Sequence, residues 1–162
     1  MEILGWAFLG GIVGAILMDI TEHFAGRLGV TSGVSVGLVG RWFLGLLRGR
    51  FAYNDIQDSL PHRHEVKAGW VFHFLVGGGG VALVYPLVLQ ASGVSLAINH
   101  LLGGVVFGLA TSILPWFILL PSFGWGVFGR QGPQGSNALL ASTLSHIPYG
   151  LGVGGVIAIG LS

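Results

Sequence analysis

Residues Leu4–Phe24 read LGWAFLGGIVGAILMDITEHF, and this stretch decides the fold. It carries no charge before Asp19. At the helical rise of about 1.5 Å per residue it is long enough to cross a hydrocarbon core of roughly 30 Å. It does not read as a secretory signal, because Met1-Glu2 offers no basic residue and Asp19 falls where a cleavage region would lie. Three more apolar stretches follow, at about 67–90, 97–120 and 138–161. Short connections containing Gly and Ser separate the second and third, and a Gly/Pro-rich segment, 121–137, separates the third and fourth.

Composition supports the same class. Charged residues make up 8% and hydrophobic residues 52%, with a mean hydropathy of +0.82. A soluble domain of this size carries roughly a quarter charged residues. The 30 glycines suit membrane helices packed closely through small residues. The expected fold is an all-α integral membrane protein: one domain over 1–162, a four-helix transmembrane bundle with an amphipathic interfacial segment between helices 1 and 2. The absence of cysteine excludes a disulfide, a thiolate metal site and a covalent haem-attachment motif. A net charge of +1 gives no sign of a nucleic-acid partner. No P-loop, dinucleotide fingerprint or nucleophile elbow is present, so no residue is assigned a catalytic role.

Basic residues set an expected orientation. Arg27, Arg41, Arg48, Arg50, Arg63 and Lys67 lie between or at the edges of the first two spans, and Arg130 lies between the last two. The termini and the 91–96 turn have none. By the positive-inside rule, loops 25–66 and 121–137 are cytoplasmic and both termini are outside.

Loop 25–66 is more than a linker. Val34–Phe51 reads VSVGLVGRWFLGLLRGRF, with Leu38, Val39, Trp42, Phe43, Leu46 and Leu47 on one helical stripe. Such a helix lies in the cytoplasmic interface, where Arg41, Arg48 and Arg50 hold anionic lipid headgroups. An equally good reading is a re-entrant cap that seals the bundle.

Five ionisable residues sit inside or at the edge of the apolar stretches: Asp19, Glu22, His23, His73 and His146. Such groups in a membrane usually face inward and find partners. Asp19 and His23 share a helix face. By helix direction, all five fall in the cytoplasmic half, whereas His100 opens the third span at the other side. Three imidazoles with one or two carboxylates suit a divalent transition metal such as Zn, Fe(II) or Mn. The expected ligands are Asp19, His23, His73 and His146, with Glu22 and Glu65 as supporting or alternative ligands. His73 and His146 as axial ligands of a haem form a weaker alternative, with Gly77–Gly80 leaving room for a bulky group. His62 and His64 offer further ligands at the mouth or sit in a solvated loop. A histidine in a membrane helix also serves simply to hydrogen-bond a neighbouring carbonyl or serine.

Two competing functions use the same residues or ignore them. One is a proton-coupled small-solute transporter with Asp19 and Glu65 titrating. The other is a structural or assembly subunit, or a homo-oligomer, docking through Gly104-x-x-x-Gly108 and Gly150-x-x-x-Gly154. Pro86, Pro115 and Pro148 interrupt spans two to four, and broken helices at membrane depth often line sites. Trp6, Trp70, Trp116 and Trp125 read as interfacial anchors.

Phrases spread over most of the chain resemble one family. They are Met18-Asp19, Val39-Gly40-Arg41-Trp42, Arg48-Gly49-Arg50-Phe51, Glu65 leading to Gly69-Trp70 and His73, Pro121 with Gly124 and Gly126, and His146 with Gly150 and Gly152. The chain resembles the small bacterial inner-membrane proteins grouped as domain of unknown function 2938. The resemblance implies a bacterial multi-span membrane protein and no particular activity. Glu22, His23 and the His62–His64 pair lie outside its pattern.

Overall fold

The structure, a computed structural model, describes residues 2–94 and 98–162. Helices make up the fold, with no strand among the described residues. Four are long and apolar enough to cross a membrane: α1 (Glu2–Arg27), α3 (Glu65–Ser92), α4 (His100–Ser122) and α5 (Asn137–Gly160). A shorter apolar helix, α2 (Val36–Leu46), lies between α1 and α3. The four spans thus stand where hydrophobic run length puts them. The expected start of the third span at Ala97 lies outside the described residues, as do Ser95 and Leu96 of the preceding turn. The sequence suggests one domain over 1–162; the chain groups into two compact units. One holds Met1–His23, Phe74–Thr111 and Leu144–Ser162, the other Phe24–His73 and Ser112–Thr143.

The first unit is built on glycines at helix contacts. A Cβ at Gly104 would meet the Gly150 carbonyl and lie 2.8 Å from Gly154 Cα. One at Gly108 would meet the His146 carbonyl and lie 2.8 Å from Gly150 Cα. Backbones this close add van der Waals contact that lipid tails cannot match. On its other side α5 receives α1, where Gly14 abuts Tyr149 and Gly10 abuts Val153. This corrects the expectation that Gly104-x-x-x-Gly108 and Gly150-x-x-x-Gly154 face a partner. The two motifs pack on each other within the chain. Ala7, Ala82, Tyr85, Leu89, Tyr149, Val153 and Ile157 fill the core around them.

Two spans depart from regular α geometry. In α3 the segment Phe72–Gly80 is a π-helix, a wide turn sustained over 9 residues. Gly77–Gly80 end it, and glycine is among the weakest helix formers. In α4 the wide stretch Pro115–Leu119 begins at the proline, whose missing N–H removes the bond to the carbonyl one turn earlier. Helix α3 stops at Gly93, whose φ of 69° is a left-handed conformation that glycine adopts without strain.

The second unit folds the long loop onto the start of α3 and the end of α4. Ser35 starts α2, its Oγ accepting from the Leu38 N–H at 3.3 Å. Helix α2 lies against the beginning of α3, where a Cβ on Gly40 would overlap the Glu65 carbonyl and one on Gly69 the Val36 carbonyl. The chain then returns across the 120s: Tyr53 N–H donates to Ser122 O and Ile56 N–H to Phe123 O, both at 2.9 Å. Leu38, Val39, Trp42, Tyr53, Ile56, Leu120, Phe123, Trp125 and Ala138 form its core. Trp125, expected as an interfacial anchor, is instead 1% exposed, with Nε1 donating to Asp55 Oδ1 at 3.1 Å. The expected apolar stripe of α2 holds through Trp42 but fails at its end, where Leu46 and Leu47 are exposed.

Gly104→Val should lower the thermal unfolding midpoint in detergent, by an amount corresponding to about 1–3 kcal/mol of overpacking. Gly155→Ala is the control. Its Cβ would sit 3.6 Å from Leu101, an ordinary contact, and the midpoint should hold or rise.

Candidate functional site

The best-defined polar centre joins α2 to the first residue of α3. Arg41 is 8% exposed, and its guanidinium grips the Glu65 carboxylate as a fork. Nε donates to Oε2 at 2.8 Å and Nη2 to Oε1 at 3.0 Å. Nη1 donates to the carbonyls of Ile56 at 3.1 Å and Ser59 at 2.8 Å. Glu65 Oε2 also accepts the His62 N–H at 2.9 Å. The planar fork is what lets arginine bind a carboxylate through two parallel bonds. The Glu65 hydrogen bond raises Arg41 above its ordinary pKa, against the opposing cost of burial.

These contacts correct two expectations. The sequence suggests Arg41 as a headgroup ligand; its guanidinium is instead occupied by Glu65, Ile56 and Ser59. It suggests Glu65 as a supporting metal ligand or titrating group; both its oxygens instead accept hydrogen bonds from Arg41 and one also from His62. Arg48 and Arg50 remain exposed.

The other expected site residues are distributed as follows. Asp19, Glu22 and His23 stand on α1 in the first unit, Asp19 and Glu22 half-buried and His23 exposed. His146 stands on α5 in the same unit, its ring edge-on to Tyr149 at 6.1 Å. His73 belongs to the second unit and is the second residue of the wide stretch in α3, its ring edge-on to Trp70 at 6.0 Å. All five have interaction partners. Among the described residues, no group of three or more His, Asp or Glu side chains is disposed to hold a metal ion.

Sequence reasoning missed how the wide stretch is stabilised. The Tyr149 hydroxyl, buried in the first unit, donates to Gly78 O at 2.8 Å and lies 3.4 Å from Gly77 O. The hydroxyl thus adds a side-chain donor at the glycine-rich end of the wide stretch. A second missed contact involves His100, which the sequence set apart from the cluster. It is buried beside Tyr85, with Tyr85 Oη 3.2 Å from His100 Nδ1.

Four apolar helices and a folded loop define the class, a multi-pass helical protein built for a membrane. The profile of the family described as "Protein of unknown function (DUF2938)" matches residues 8–159, and the chain belongs to that family. No curated protein and no solved structure matches it.

Glu65→Gln should cost about 3–5 kcal/mol of stability, because it strips the counter-charge from a buried guanidinium. Thermal unfolding reads that loss. Limited proteolysis should show loop 47–64 cut faster at the same temperature.

Proposed function

We propose that the chain is a membrane carrier for a small cation, with the wide stretch of α3 as its binding element and His73 as the side chain that contacts the ion. The observation that carries this reading is the nine-residue π-helix Phe72–Gly80 inside a membrane span. Isolated π turns concentrate at functional sites, and a stretch of this length is rarer still. Carriers bind ions through loosened helical carbonyls at membrane depth. Imidazole adds a ligand suited to divalent transition metals.

The expected metal therefore becomes cargo rather than a resident cofactor. A transported ion must be held weakly enough to leave. Glu65 is committed to Arg41, so we assign proton coupling to Asp19 and Glu22, both half-buried on α1. We place the chain in a bacterial inner membrane; the basic bias of loops 25–66 and 121–137 supports an orientation with both termini on the outer side.

Proteoliposomes test the reading. With Mn2+ or Zn2+ outside, a metal-sensitive dye and pyranine inside, wild type should take up metal with coupled proton movement. His73→Gln and Asp19→Asn should fall to the rate of empty vesicles while keeping their helical circular dichroism. Uptake unchanged in His73→Gln, no uptake of either metal by wild type, or a stoichiometric metal that survives chelator would each refute the carrier.

A further inference from the structure

We propose that the turn after α2 and the strand of loop leading into α3 form a docking patch for the anionic phospholipid headgroups of the protein's own bilayer. The patch consists of Leu47, Arg48, Arg50 and Phe51 on one side and Leu60 and Arg63 on the other, all exposed. Arg48 Nη1 lies 3.4 Å from His62 Nε2, which ties the two sides together. Leu47 is 68% exposed and Leu60 88%, and with Phe51 they set apolar groups beside the arginines. Large apolar groups alternating with arginines suit the boundary between acyl chains and phosphates.

Three features choose lipid as the occupant. Arg63 precedes Glu65, the first residue of a membrane span, by two positions, so the patch lies in sequence where that span begins. Its charge is strongly biased: Arg48, Arg50 and Arg63 stand against Asp58 as the nearest free-standing acid in the loop, since Asp55 is bonded to Trp125 and the Gln57 N–H. The cations are also held in place. Arg50 stacks over the buried Tyr53 ring at 4.0 Å, and Gly49, with a φ of 82°, makes the turn that presents both arginines. Arg41 takes no part, being consumed by Glu65. The assignment is independent of whether α3 carries a cation.

Native mass spectrometry of the full chain, released from nanodiscs of equal phosphatidylglycerol and phosphatidylcholine, tests it. Wild type should retain phosphatidylglycerol preferentially. Each arginine near an anionic surface is worth about fivefold in partitioning, so Arg48→Gln with Arg50→Gln should cut the preference by up to about 25-fold. Arg48→Lys with Arg50→Lys should keep it, and added salt should weaken it. Both side chains are exposed, so the fold should survive, as circular dichroism will verify. Equal retention of the two lipids by wild type, or a preference that persists in the glutamine variant, overturns the proposal. Loss of the preference with inorganic phosphate, where sodium chloride of equal ionic strength leaves it in place, would assign the arginines to a soluble anion and overturn the lipid assignment as well.

Discussion

A helix inside lipid has to satisfy its own backbone, because no water is present to accept or donate the missing bonds. Helix α3 meets this constraint in an unusual way. From Phe72 to Gly80 it widens, and the carbonyls of Gly77 and Gly78 fall within reach of a side-chain hydroxyl, that of Tyr149. The glycines that let the helix widen also let neighbours approach: a Cβ at Gly79 would run into the Phe8 ring, and one at Gly11 into the Gly78 carbonyl. Loosened backbone and close packing are thus the same glycines seen from two sides. That coincidence is what makes α3 the natural place to look for chemistry in this chain.

The second unit solves a different problem, that of burying a charge. Arg41 sits among apolar side chains, and its guanidinium is tolerable there because every direction it points finds an acceptor: Glu65 twice, then Ile56 and Ser59. Glu65 in turn accepts the His62 N–H at the start of α3. One pair of residues therefore docks α2, folds the 56–59 turn and fixes where the span begins. Glycines flank it on both partners, Gly40 beside the arginine and Gly69 one turn beyond the glutamate, so the helices can come within reach of the fork.

The spans were legible because hydrophobic run length is a one-dimensional property. Leu4–Phe24 becomes Glu2–Arg27, and 138–161 becomes Asn137–Gly160, so the spans keep their places and only their ends shift. The Arg41–Glu65 pair was not legible. Its members are 24 residues apart on different elements, and neither periodicity nor charge pattern links them. Arg41 falls outside the apolar stripe of α2 on paper and is buried only because a carboxylate waits for it. Counting from a span's end gives an expected depth for Asp19, His73 and His146, but it gives no azimuth. A wide stretch turns fewer degrees per residue, so the face on which His73 and its successors emerge departs from a 3.6-residue count. The glycine motifs failed as partner signals for a similar reason. A small-residue face announces close contact without naming the helix that makes it, and here α4 and α5 name each other.

The central claim is that a cation meets His73 at the wide stretch of α3. Electron spin-echo spectroscopy of Mn2+ bound to the membrane-reconstituted protein tests it most directly, because a coordinated imidazole imprints 14N modulation on the manganese signal. Wild type should show that modulation, and His73→Gln should lose it while the remaining histidines stay in place. Modulation that persists in His73→Gln, or wild-type protein whose bound Mn2+ shows no nitrogen neighbour, would contradict the account.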